Sequence, residues 1–107
     1  MSDVPAISVE ELKQKLDARE DIFILDVREP HEYQICNISG YLIPVGELPR
    51  RFSELDSTRE IIAHCRSGVR SASAVKFLRS AGFDKVYNLS GGILAWADRI
   101  DPAMSKY

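Results

Sequence analysis

The sequence has only two cysteines, Cys36 and Cys65, and they do not stand as a CxxC pair. One disulfide between them is chemically open, but a reducing compartment disfavours it. Together with His31 and His64 they show no zinc-type ligand spacing, so no metal site is expected. No apolar run reaches the roughly 18 to 20 residues needed to span a bilayer, so no membrane association is expected. The opening Met1-Ser2-Asp3-Val4-Pro5 has neither the basic nor the apolar part of a secretory signal, and a cytoplasmic protein is the expectation. A basic excess is missing too. Net charge is -2 with no extended basic stretch, which argues against nucleic-acid binding and leaves room for small anions held by local arginines.

What is present is an ordinary globular composition, 45% hydrophobic and 28% charged over 107 residues, enough for one core and too little for two. One domain is expected over residues 1–107, with a core from about residue 5 to 100 and a tail from Asp101 to Tyr107. There is no internal repeat. After a very short first strand, Ser8 stands three residues before Glu11 as a capping box for a helix running to Arg19. Ile22-Phe23-Ile24-Leu25 reads as a strand buried on both faces and ending at Asp26. Pro30 then suits a helix start. Leu42-Ile43-Pro44 reads as a brief strand, and Gly46 to Leu55 as a short helix with Pro49 in its first turn. Glu60 to Cys65 is another apolar strand, Val69 to Ala81 the clearest helix with Gly82 to end it, Lys85 to Leu89 a last strand and Ile93 to Ile100 a last helix. Phe23, Phe77, Leu78 and Trp96 read as core or packing residues. Such alternation predicts an α/β fold with right-handed parallel crossovers, whose functional crevice lies beyond the carboxyl ends of the strands. Asp26 to Arg28 and Cys65 to Arg70 both fall there.

Cys65 leaves a buried strand, enters a glycine-containing loop and precedes a helix whose first N–H groups have no intrahelical partner. Backbone N–H groups of such a loop form an anion nest, and the helix dipole with Arg66 and Arg70 adds positive charge. A thiol of ordinary pKa about 8.5 is drawn toward thiolate in that setting, which makes Cys65 a candidate nucleophile. As an inert core thiol it would have no use for two nearby arginines. Cys36, between Ile35 and Ile38, reads as packing. Asp26 reads as structural, and strand alternation turns His64 to the face opposite Cys65.

The motifs Leu25-Asp26-Val27-Arg28-Glu29-Pro30-His31-Glu32-Tyr33, Ile38-Ser39-Gly40 leading to Ile43-Pro44, His64 to Arg70, and Leu89-Ser90-Gly91-Gly92-Ile93 with Ala95-Trp96 occur in an order that resembles the rhodanese family. The resemblance spans nearly the whole chain. It implies a rhodanese-like α/β fold with a central, mostly parallel five-stranded sheet between helices. It also implies a sulfurtransferase that accepts sulfane sulfur on Cys65 as a persulfide and passes it to a nucleophilic acceptor, with no cofactor beyond that covalent intermediate. Arg66, Ser67, Gly68, Val69 and Arg70 are then the substrate-binding loop. Arg28 has two readings, facing the pocket as in several family members or bracing the rim in an ion pair with Asp26. Phosphatases of the same fold place five residues between cysteine and arginine, whereas four separate Cys65 from Arg70 here, the sulfurtransferase length. A phosphatase and a catalytically silent interaction module are the alternatives. Gly40-Tyr41 departs from the family's Gly-Ala at that rim. The segment from Trp96 to Tyr107 resembles rhodanese domains fused to adenylating enzymes of the molybdopterin and thiamine pathways. Implied partners are therefore a small anionic donor such as thiosulfate or a cysteine desulfurase, and a ubiquitin-like sulfur-carrier protein with its adenylating enzyme.

Overall fold

A computed structural model describes residues 4–107. Strand β1 (Ala6–Ile7) leads into helix α1 (Val9–Asp17), whose start carries the full capping box. The Ser8 hydroxyl accepts from the Glu11 N–H at 3.0 Å while the Glu11 carboxylate accepts from the Ser8 N–H at 2.9 Å. The helix stops two residues short of Arg19, which sits in the left-handed region at φ 56°. Strand β2 (Ile22–Asp26) follows, then α2 (Pro30–Ile35) with proline in its first turn, and β3 (Tyr41–Leu42). The brief strand thus pairs two residues that begin one earlier than the apolar run suggested, because Pro44 has no N–H to give a ladder.

Gly46 to Leu55 is not one helix. A 3-10 turn at Val45–Glu47 runs into the single α-turn α3 (Leu48–Arg51) and a second 3-10 turn at Phe52–Glu54. Pro49 does lie in the first turn of α3, where its missing N–H costs nothing. Strand β4 (Glu60–His64), helix α4 (Val69–Ser80), β5 (Val86–Leu89) and α5 (Gly92–Arg99) complete the order.

The five strands form one sheet in the order β1-β5-β4-β2-β3, with every pairing parallel. Alternation along β4 divides the core. Ile61, Ala63 and Cys65 join Leu25, Val75 and Leu78 on one face, whereas Ile62 joins Val9, Leu12, Leu89 and Trp96 on the other. Each of these fully buried aliphatic side chains stabilises the fold by roughly 1.5 to 3 kcal/mol relative to exposure. Leu78 and Trp96 are buried as expected, while Phe23 and Phe77 flank the first cluster half-buried. No helix among the described residues is long and apolar enough to cross a membrane.

Asp101 to Tyr107 is not a free tail. Met104 packs on the second core cluster, Lys106 pairs with Asp98, and Tyr107 returns to the carboxyl end of the sheet.

Candidate functional site at the carboxyl end of strand β4

Parallel pairing of β2 with β4 sets Asp26 opposite His64, so both strand exits open at the same edge. Beyond His64 the backbone turns through Cys65 to Gly68, and Gly68, at φ 108°, caps α4 in a conformation that disfavours any side chain. The loop is held from behind. The first turn of α5 donates from Ile93 to the Cys65 carbonyl at 3.0 Å and from Leu94 to the Arg66 carbonyl at 3.1 Å. Those carbonyls therefore face away from the loop centre and the following N–H groups face in. Gly92 permits the approach, since a Cβ there would stand 2.5 Å from the Arg66 oxygen and 2.6 Å from the Cys65 oxygen.

The Cys65 Sγ lies at the base of this loop, with Cys65 only 1% exposed. It accepts from the Gly68 N–H at 3.1 Å and the Ser71 N–H at 3.4 Å, with the Ser71 Oγ also 3.4 Å away. Burial is the largest single influence on its acidity and pushes the thiol up. The polar contacts around the sulfur outweigh it, the Ser71 side chain first and then the N–H groups of Ser71, Gly68 and Ser67, so the pKa falls below the ordinary cysteine value. Donors arranged this way favour the anionic form of the sulfur over the neutral one, the setting a nucleophilic thiolate needs.

Ser71 and Asn88 carry part of this geometry and were given no role from sequence. The Ser71 hydroxyl lies 2.6 Å from Asn88 Oδ1, and Asn88 Nδ2 donates to the Gly68 carbonyl at 3.1 Å. One asparagine on β5 thus ties down both the loop glycine and the hydroxyl beside the sulfur. The available signal was an asparagine inside the apolar strand Val86–Leu89, a residue that strands disfavour without a polar task.

The arginines fall into three situations. Arg66 is exposed, with its guanidinium over the Tyr107 ring at 5.4 Å. Arg70 does not point freely at the loop centre, because Nη1 and Nη2 bind Glu32 Oε1 and Oε2 at 2.7 and 2.8 Å. That guanidinium, with α2's backbone bond, holds the Glu32 carboxyl down at about 2. Arg28 corrects the pocket-facing reading. Its side chain is 0% exposed, with Nε and Nη2 on the Asp26 carboxylate at 2.7 to 3.2 Å and the Cys36, Glu32 and Tyr107 carbonyls taking its remaining N–H groups. Nothing is left of Arg28 to meet a substrate; it braces the rim.

Cys36 is 9% exposed and touches Arg28, in keeping with packing. His64 lies on the face opposite Cys65, its Nε2 3.5 Å from Asp26 Oδ2 without a hydrogen bond. Burial lowers its pKa against the pull of Asp26. Ser67 is exposed and Val69 is 73% exposed, an apolar side chain standing in solvent at the loop's rim. Beside them opens a groove of about 710 Å³ lined by Ser67, Gly68, Val69, Ala72, Lys76 and Asn88. Among the described residues no three His, Cys, Asp or Glu side chains converge as metal ligands.

Residues 8–99 match the family model of the rhodanese-like domain. The chain belongs to the rhodanese-like domain family. It is 40% identical over 95 residues to a sulfurtransferase of Allochromatium vinosum, covering 88% of this chain and 89% of that one. YrkF of Bacillus subtilis, a candidate sulfur carrier protein, is 42% identical over 101 residues, which are 94% of this chain and 55% of YrkF. The adenylyltransferase and sulfurtransferase MOCS3 of Arabidopsis thaliana is 33% identical, covering 94% of this chain and 25% of its own length. The chain thus spans about half of one relative and a quarter of another. Among solved structures, a rhodanese-related protein from Thermoplasma volcanium superposes with a TM-score of 0.82 at 31% identity, covering 90% of this chain and 93% of that one. The five-stranded α/β architecture is the one shared with these rhodanese-like neighbours.

Proposed function

We propose that the chain is a rhodanese-type sulfurtransferase that works through a persulfide on Cys65. The observation that carries this is the convergence of the Gly68 and Ser71 N–H groups on one buried sulfur. In the first half-reaction the Cys65 thiolate attacks the outer sulfur of a donor. The new S–S bond forms as the donor's own breaks, and the donor remainder leaves with the electron pair, as sulfite when the donor is thiosulfate. In the second, an acceptor nucleophile attacks the outer sulfur and the Cys65 thiolate departs. No cofactor enters either step. The inward N–H groups stabilise the negative sulfur in each resting state, the electrostatic arrangement expected of a site that develops an anion.

The sulfurtransferase and sulfur-carrier relatives support this class of activity. The donor is a small sulfane-sulfur anion or a cysteine desulfurase acting in the cytoplasm. A ubiquitin-like sulfur carrier, activated by an adenylating enzyme, is the acceptor favoured by the likeness to MOCS3, in which sulfurtransferase and adenylyltransferase share one chain. A phosphatase is disfavoured by the six-residue loop and by an Arg70 already bound to a carboxylate.

Intact mass after incubation with thiosulfate, or with a desulfurase and cysteine, tests the reading. The expected result is a gain of one sulfur atom that a reductant removes and that Cys65→Ser abolishes, with Cys36 left as the internal control. An unchanged mass with both donors overturns it in favour of a silent module. Formation of thiocarboxylate on an adenylated carrier tests the acceptor separately.

A further inference from the structure

Of the three arginines near the Cys65 loop, two are committed to carboxylates. Arg28 is sealed on Asp26, and Arg70 is bound at both Nη atoms by Glu32, itself only 5% exposed and held on α2. Glu29, one turn before it, adds a further negative charge that Arg70 feels. Lys76 lines the adjoining groove but stands seven residues beyond Val69 on α4, about 10 Å along the helix axis. Among the described residues the loop mouth is therefore left with one uncommitted guanidinium, that of Arg66, and a partial positive charge from the backbone N–H groups and the start of α4.

We propose that Glu32 is a positioning residue that sets donor charge: by neutralising Arg70 it tunes the loop to singly charged sulfane-sulfur donors and against dianions such as thiosulfate. This rests on the sulfurtransferase reading and adds a substrate class to it. The pairing is long-range, 38 residues apart, and is geometrically complete, two parallel N–H to oxygen bonds on one guanidinium. A donor with one charge is matched by Arg66 and the N–H groups. The second charge of a dianion finds no further uncommitted guanidinium among the described residues and meets the fields of Glu32 and Glu29.

Thiosulfate and methanethiosulfonate form the matched pair of probes, since both present a sulfane sulfur on a sulfonyl centre and differ by one charge. With thiosulfate, thiolate and dianion give persulfide and sulfite; with methanethiosulfonate, thiolate and monoanion give persulfide and methanesulfinate. Both transfers balance without a redox partner. The quantity measured is the ratio of kcat/KM for thiosulfate to that for methanethiosulfonate.

Glu32→Gln keeps an Oε1 to accept the Glu29 N–H, a bond of 2.9 Å that begins α2, and removes only the charge. The ratio is expected to rise about tenfold, through a lower KM for thiosulfate with little change in kcat, the size of one unit charge a few ångströms away in a partly screened site. Raising salt shrinks the gain. Arg70→Met, which exposes the mouth to an unbalanced Glu32, lowers the ratio by a similar factor. The double variant, neutral again, returns the ratio to that of the unmodified chain. An unchanged ratio in Glu32→Gln, a gain insensitive to salt, or a double variant that stays as low as Arg70→Met overturns the proposal, the last because Arg70 then binds the donor directly. Equal losses with both donors point to damaged structure and also overturn it. If neither donor places sulfur on Cys65 in the unmodified chain, the sulfurtransferase reading fails as well; persulfide formed at an unaltered ratio defeats the charge selection alone.

Discussion

Strands β2 and β4 end side by side, each emptying into a loop with an arginine, yet one exit is a cradle and the other a plug. At the end of β4 the carbonyls are turned away by α5 and the N–H groups converge on Cys65. At the end of β2 the side chain of Asp26 takes the Arg28 N–H at 3.0 Å and its guanidinium as well, and both residues are 0% exposed. The lesson is that an arginine at a strand exit has no fixed meaning. Free backbone donors around an anion make a binding site, whereas a carboxylate that consumes those donors makes a brace.

That contrast breaks most visibly on mutation of the two exits. Arg28→Ala leaves Asp26 buried without its cation, and a loss of about 3 to 5 kcal/mol in denaturant unfolding is expected. Cys65→Ser is expected to unfold within about 1 kcal/mol of the unmodified chain while carrying no sulfur at all, measured on the same samples by intact mass. Comparable destabilisation by both would erase the distinction between brace and cradle.

The support behind the cradle gives the next largest effect. Gly92→Ala places a Cβ within 2.6 Å of two loop carbonyls from a backbone at φ 60°. A stability loss of roughly 1 to 3 kcal/mol is expected, with a larger proportional loss of persulfide formation because the N–H groups are displaced. The reverse ordering, stability lost with sulfur loading intact, would separate the α5 contact from the site.

Ser71→Ala sharpens the comparison within the cradle itself. Loss of the polar side chain beside the sulfur is expected to raise the Cys65 pKa by about one unit, seen as an upward shift in the pH profile of alkylation by iodoacetamide. Asn88→Ala is expected to shift it in the same direction, since the Gly68 carbonyl loses its anchor and the loop N–H groups lose their fixed aim at the sulfur. A profile unmoved by either substitution would leave the loop N–H groups as the whole source of the depression.

The smallest effect concerns acid stability. Glu32 binds a proton near its ordinary value of 4.5 in the unfolded chain and only at about 2 when folded. The unfolded state therefore takes up the proton first, and the stabilisation is complete above pH 4.5 and lost as pH falls from there toward about 2. Arg70→Met is expected to flatten that limb of the unfolding curve.

Much of this was legible in order of residues. The Ser8–Glu11 box, the apolar strand at Ile22, the proline before α2 and the periodic helix after Val69 are local patterns, and the architecture assembled from them has the expected parallel alternation. The segment from Gly46 to Leu55 was misjudged as one helix, because propensity cannot decide between α and 3-10 bonding in a stretch whose hydrogen bonds change partner at Pro49. The close approach of Gly92 to the Cys65 and Arg66 carbonyls was not legible, since that loop lies some 25 residues earlier in the chain. The contacts that hold the tail from Asp101 down, to Asp98, Arg66 and Arg28, are not visible in its sequence.

By itself the sequence pointed to Cys65 as the candidate nucleophile and determined how tight its loop is, because Cys65, Gly68 and the helix start after it are neighbours along the chain. Only the tertiary structure decided what charge that loop presents. Glu32 reaches Arg70 across 38 residues and Asn88 reaches Ser71 across 17, and such meetings depend on the parallel register of β2, β4 and β5. Local spacing encodes how a loop bends. Which carboxylate or amide arrives beside it is settled by how strands pair and helices cross, a property of the whole fold.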